Sequence, residues 1–258
     1  MIRFFRKIRQ RLVIENKFSK YLLYAIGEIA LVVIGIMIAL NLNIRNEELK
    51  IHQKQENYLQ LIKVEMGHNL ESLSIGRAKL KESINSLQQL LDLMGNDAVA
   101  DTLPEAELSQ MLGLILSNNI AVKYENGAMT ELVASGSLKD IENDSIRGIL
   151  SSWEGKLVEL KGQEQKLDEL WNRSNLYFES NATFRTIFDQ ARFSEYTEIE
   201  NRSTNISNKH VLNSTKFENI FLVQLASAMH LHKGVYPRFE DDLNGVIGLI
   251  DTELNTEQ

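Results

Sequence analysis

Between Leu22 and Leu42 the chain is apolar except at Tyr24, Glu28 and Asn41. In helical form these residues rise about 31 Å, one hydrocarbon thickness of a bilayer. The preceding stretch, Met1–Lys20, holds seven basic residues (Arg3, Arg6, Lys7, Arg9, Arg11, Lys17, Lys20) against one acid, Glu15. A basic flank marks the cytoplasmic side of a membrane helix. The other flank mixes Arg45, Lys50 and Lys54 with Glu47, Glu48 and Glu56. The expectation is N-terminus inside and main body outside, which in a two-membrane bacterium means an inner-membrane protein with a periplasmic body.

A cleaved signal peptide would have an apolar region of roughly 7–15 residues followed by a small-x-small site. This run is longer, and it ends Ala39-Leu40-Asn41-Leu42 without such a site, so an uncleaved signal anchor is expected. Gly245–Ile250 is too short for a second span, so the chain reads as single-pass. Residues 1–20 form a basic cytoplasmic tail, 21–42 the membrane helix and 43–258 an extracytoplasmic bundle. In the tail, Phe5, Ile8 and Leu12 share a helical face, and Arg3, Arg6, Lys7, Arg9 and Arg11 are candidate contacts to anionic lipid. A plain positive-inside tail explains the same residues.

A carboxylate in a membrane helix costs about 2.5–3.5 kcal/mol at the helix centre on insertion scales. At about 100° per residue, Tyr21, Tyr24, Glu28, Gly35 and Ala39 fall on one stripe. Gly35 and Ala39 are a small-xxx-small pair that lets backbones approach in lipid. The stripe is the candidate membrane-helix interface, for self-association or for another membrane or envelope protein. The competing reading has Glu28 near the headgroups, reaching toward Tyr24 and the cytoplasmic surface.

The body reads as all-α. There are two prolines and no cysteine, which favours helix and removes disulfides, thiolate metal sites and thiol catalysis. The whole chain is −7, so residues 21–258 carry −13, and this acidic region without an evident basic face argues against nucleic acid as a partner. A first stripe runs Leu59, Ile62, Met66, Leu70, Leu73, Arg77, Leu80, Ile84, Leu87, Leu91, Met94, broken at Arg77, with Gly95-Asn96 as its stop. Thr102-Leu103-Pro104-Glu105 reads as a capping box opening the next helix, with a break at Asn118-Asn119. A short helix is expected over Gly127–Ala134, ended by Ser135-Gly136. Asn143 is the expected N-cap of a second long stripe: Ile146, Leu150, Trp153, Leu157, Leu160, Glu164, Leu167, Trp171, Ser174, Phe178. A short helix follows over 183–192. Arg192–Asn213 reads as a long polar loop, and Thr215–Leu254 as a helical region that Pro237 kinks or splits. Two long antiparallel stripes plus a third, C-terminal helix can bury one another as an elongated helical bundle.

Chemistry is sparse. Glu65-x-x-His68 has di-iron spacing, but no other histidine has a Glu three residues before it. His230 and His232 are two apart and face different ways on a helix. Glu240-Asp241-Asp242 reads as a solvated face. Phosphate-cradling loops, zinc-protease helices and nucleophile elbows are absent from the sequence. No catalytic residue, metal ligand or cofactor is assigned.

The opening Phe4-Phe5-Arg6-Lys7-Ile8-Arg9, with Tyr21-Leu22-Leu23-Tyr24-Ala25-Ile26-Gly27-Glu28-Ile29 and Val33-Ile34-Gly35-Ile36-Met37-Ile38-Ala39-Leu40, resembles an uncharacterised family of single-pass membrane proteins common in Bacteroidota. Glu131-Leu132, Ser135-Gly136-Ser137-Leu138 and Ile141-Glu142-Asn143 look like that family's second signature. Where its members continue Asn-Asn-Trp-Asn-Glu, this chain has Asn43-Ile44-Arg45-Asn46-Glu47, without the interfacial tryptophan. The resemblance implies an inner-membrane location and helical architecture, and no reaction. The expectation is a membrane-anchored, non-enzymatic interaction or scaffold protein. A periplasmic sensor or ligand-binding bundle acting through a partner is the alternative.

Overall fold

The computed structural model describes residues 18–95, 102–117, 120, 122–191, 197–202, 204 and 206–256. The tail residues Arg3, Arg6, Lys7, Arg9 and Arg11 and the break at Asn118-Asn119 lie outside them. Among the described residues there is no strand; the protein is an all-α bundle with one long apolar helix near its N-terminus. It divides into two compact units, Met1–Asn57 and Tyr58–Gln258.

Helix α1, Phe18–Met94, is unbroken, as the lack of Pro and Gly over 43–57 allows. Its N-terminal part is long and apolar enough to cross a membrane, and among the described residues none buries the most apolar stretch. Leu31 is 73% exposed, and Leu23, Ile29, Val32, Ile36, Met37, Leu40 and Leu42 also project outward.

Within the second unit follow α2 (Glu105–Ser117), α3 (Gly127–Ala134), α4 (Asp144–Asn181), α5 (Phe184–Gln190), α6 (Thr215–His230) and α7 (Tyr236–Thr256). Short 3₁₀ turns occupy Ser137–Asp140 and Lys209–Asn213. Local chemistry sets the boundaries. The Asn143 side chain accepts from the Ser145 and Ile146 N–H groups and starts α4, where its expected cap stands. Gly136 follows α3 at φ 71°, a left-handed conformation that glycine adopts without strain.

Pro237 splits the C-terminal helical region. A proline there offers no N–H to the Lys233 carbonyl, and its ring crowds that oxygen. The ladder widens into one π-turn over Leu231–Val235, in which the Tyr236 N–H reaches back to the Leu231 carbonyl. The axis then continues as α7.

Cross-links give the directions. Lys63 pairs with Asp251 and Arg77 with Glu240, so α1 and α7 are antiparallel. Asn143 donates to Glu253, Lys156 pairs with Asp242, and Ser174 bonds Gln224, so α4 is antiparallel to α6 and α7. The two long stripes, on α1 and α4, therefore run the same way and not antiparallel as expected, because the C-terminal helices are the antiparallel partner of both. The chain between them makes this possible by returning along α1. Gly76 meets Val122, Asn69 meets Glu125, Glu65 meets Ala128, and Tyr58 meets Glu131 and Ser135.

Two contiguous cores result. One gathers Leu59, Ile62, Met66, Trp153, Leu157, Tyr236, Leu243 and Ile250; the other gathers Leu87, Leu108, Leu112, Phe178, Phe217 and Phe221. Leu225 touches both. Each position of the Ile146–Phe178 stripe is buried except Trp171, which is half-buried and donates its indole N–H to the Ile115 carbonyl at 3.1 Å.

Candidate functional site

The most constrained polar chemistry lies where the returning segment 122–126 crosses between α1 and α4. This segment lies outside any helix, so its backbone groups need partners elsewhere. The Asn69 side chain, fully buried, supplies both for Glu125: its amide donates to the carbonyl at 2.9 Å, and its oxygen accepts from the N–H at 2.7 Å. One turn earlier, the Glu65 carboxylate accepts from the Ala128 N–H at 2.7 Å and the Met129 N–H at 3.4 Å. It thereby caps the start of α3, where a negative charge meets the positive end of the helix. His68 lies 3.0 Å from a Glu125 carboxylate oxygen, and that contact raises its pKa. The Glu65-x-x-His68 spacing thus serves to hold the returning segment against α1. Gly76 is required by the same crossing: a Cβ there would sit 2.3 Å from the Val122 side chain.

Tyr124 leads from this segment into the core. Its phenol donates to Glu164 Oε1 at 2.9 Å, and the Tyr236 phenol donates to the same oxygen at 3.0 Å. Glu164 is 8% exposed and Tyr236 fully buried. One carboxylate therefore joins α4, the returning segment and the first residue after the π-turn. Burial raises the Glu164 pKa, and outweighs the opposing effect of both phenol hydrogen bonds and of Lys161. Burial first, then the neighbouring carboxylate, raises both tyrosine pKa values. Both phenols act as donors to the one carboxylate oxygen. Phe239 packs beside the triad, 5.4 Å from both Tyr124 and Trp153.

The polar interruption at Arg77 has a partner: its guanidinium lies 2.5 Å from Glu240. Lys156 reaches Asp242 at 2.5 Å from the other side. The acidic run expected to be a solvated face is instead held on two flanks. These half-exposed pairs contribute at most about 1 kcal/mol each, and they set register more than stability. His232, beside them in the π-turn, has its pKa lowered by burial and then by Arg77, Lys81 and Lys233.

Two further expectations change. Glu105 is the first residue of α2 rather than three residues inside it, and its carboxylate accepts from the Ser207 hydroxyl at 2.5 Å and the Asn208 N–H at 2.9 Å. The described part of the polar stretch 192–213 is also not a free loop. Asn208 is fully buried and clamps Thr183 through its N–H at 2.8 Å and its carbonyl at 3.1 Å, and Thr186 donates to the Ile206 carbonyl at 2.7 Å.

In the apolar helix, Glu28, Gly35 and Ala39 fall on one side by helical geometry, and among the described residues nothing lies within 4 Å of a Cβ built at Gly35. Tyr21 and Tyr24 belong to α1, and their side chains lie outside the described residues. No group of three or more His, Cys, Asp or Glu side chains is placed to hold a metal among the described residues.

In the sequence Glu164 stands only as a polar member of an apolar stripe. A carboxylate at a core position was the available signal; its partners Tyr124 and Tyr236, 40 and 72 residues away, carried none. No protein-family model, curated protein or solved structure matches this chain.

Proposed function

We propose that this is a membrane-anchored envelope protein of the Bacteroidota family it resembles, and that it works by interaction rather than catalysis, as a scaffold or accessory subunit. In this reading residues 21–42 span the inner membrane, the basic tail stays in the cytoplasm on anionic lipid, and the bundle stands in the periplasm. The observation that carries it is the exposure of the apolar part of α1. Leu23, Ile29, Leu31, Val32, Met37 and Leu42 are each more than half exposed, while the bundle's cores are filled by its own residues. Leaving so much apolar surface in water costs about 25 cal/mol per Å². Among the described residues none covers it, and a bilayer has the matching thickness.

The stripe Tyr21, Tyr24, Glu28, Gly35 and Ala39 would carry in-membrane contact with a second copy or another envelope protein. In the bundle, Glu164 and its two phenols fix geometry rather than perform turnover, since both donors are already satisfied by the carboxylate.

Alkaline carbonate extraction of bacterial membranes, combined with reporter fusions at each terminus, tests the anchor. The expected result is a protein retained in the membrane pellet, with a phosphatase fusion active at the C-terminus and inactive at the N-terminus. Release into the supernatant, or the opposite fusion pattern, overturns the reading.

A further inference from the structure

On the outer side of the bundle α4 and α6 leave a groove of two adjoining depressions, about 450 and 390 Å³, which meet at Val223. Its floor is apolar and open: Leu222 is 47% and Val223 50% exposed, with Ile220 beside them. Helix α6 already buries Phe217, Phe221, Gln224 and Ala228 in the core, so this is a second apolar face on the same helix. The rim is basic. Lys166 and Arg173 line it from α4 and Lys216 from α6, and among the described residues no acidic one lines either depression. Lys216 is steadied over the Tyr177 ring, 5.5 Å from its centroid. On a body that carries −13 beyond Lys20, this is a local reversal of sign.

We propose that this groove is a docking surface for an acidic amphipathic helix of a protein partner, a proposal that rests on the interaction reading above. A furrow between two antiparallel helices accepts the ridge of a third. Lys166 and Arg173 are about 10 Å apart along α4, two helical turns, so carboxylates at i and i+7 of an incoming helix meet both while its apolar stripe covers Leu222 and Val223. The concave floor fits a helix better than a flat anionic bilayer, and the cations match the carboxylates in sign. Rim charges of this kind act mainly on encounter and orientation, with the apolar floor holding the complex.

The test uses the full chain in nanodiscs of uncharged lipid. The probe is a fluorescein-labelled helix of about five turns with leucines on one face and glutamates on the other; the control carries lysines in place of the glutamates. Anisotropy should show the glutamate peptide binding at least roughly tenfold tighter. The double variant Lys166→Glu/Arg173→Glu should reverse the preference, and Val223→Glu, at a half-exposed position, should remove binding without changing the melting temperature. Equal binding of the two peptides, or glutamate-peptide binding untouched by the double variant, overturns the proposal. So does self-association of the protein abolished by Val223→Glu, or binding of phosphatidylglycerol vesicles lost in the double variant without any peptide preference. Carbonate extraction of the same membranes reports the anchor separately, so a failed groove and a failed anchor are told apart.

Discussion

Glu164 separates two contributions that a single substitution would mix. Both Glu164→Gln and Glu164→Leu remove the buried charge, but only glutamine keeps an oxygen for the Tyr124 and Tyr236 phenols, which lie 2.9 and 3.0 Å from Oε1. A buried donor left without a partner costs about 1–3 kcal/mol. Tyr236 is fully buried and should stand near 2, and Tyr124, half-buried, near 1, so the leucine variant falls about 3 kcal/mol below the glutamine variant. For a unit of this size that is a gap of roughly 6–12 °C in melting temperature. The wild type against the glutamine variant isolates the charge. Burial raises the Glu164 pKa above its ordinary 4.5, so between that pH and the folded value the folded protein binds more protons than the unfolded chain. The associated stability is fully present below 4.5 and is lost as pH rises through the folded value. Glutamine has no such slope. Thermal melts of the full chain in detergent, followed by circular dichroism, should place Glu164→Gln above wild type at pH 7, the two converging toward pH 4. Equal melting of the glutamine and leucine variants, or a gap between wild type and glutamine that widens on acidification, would refute the reasoning.

Four further outcomes follow from other contacts. Gly76→Ala gains about 1 kcal/mol of helix propensity but puts a Cβ 2.3 Å from the Val122 side chain; an overpacking cost of about 1–3 kcal/mol should dominate, and Val122→Ala should restore the melting temperature. Glu65→Ala uncaps α3 and should cost about 1 kcal/mol, with faster hydrogen exchange confined to the amides around Ala128 and Met129. Asn208→Ala releases both polar groups of Thr183 and should lower stability by about 2 kcal/mol, with new proteolytic cleavage between Thr183 and Asn208. Glu28→Ala should shift the detergent-solubilised complex to smaller mass on native gels; an unchanged mass removes the in-membrane contact.

Element boundaries were legible because their causes are local. Asn143 caps α4, Ser135-Gly136 closes α3, and Gly95 follows the end of α1, each readable within a few residues. The buried faces were legible for a similar reason: a period near 3.6 marks the stripes through Leu59 and Ile146 whatever packs on them. Periodicity says that a face is covered but not by what. That is why the shared direction of α1 and α4 could not be read, and why Glu105 and the acidic run at Glu240 found partners no spacing had shown. The basic groove escaped charge counting too, since Lys166 and Arg173 meet Lys216 only after α4 and α6 pack antiparallel.

By itself, then, the sequence determined a helix of membrane length behind a basic flank, an all-helical body, and the positions of its caps and stops. These follow from dihedral preference, capping and apolar period, all of which act over one or two turns. The tertiary structure decided which helices run together, that Glu164 becomes the acceptor for two distant phenols, and that three scattered cations border one apolar groove. Such features depend on residues tens of positions apart in the chain. Only the packing that closes those loops brings them within hydrogen-bonding distance, or onto one surface.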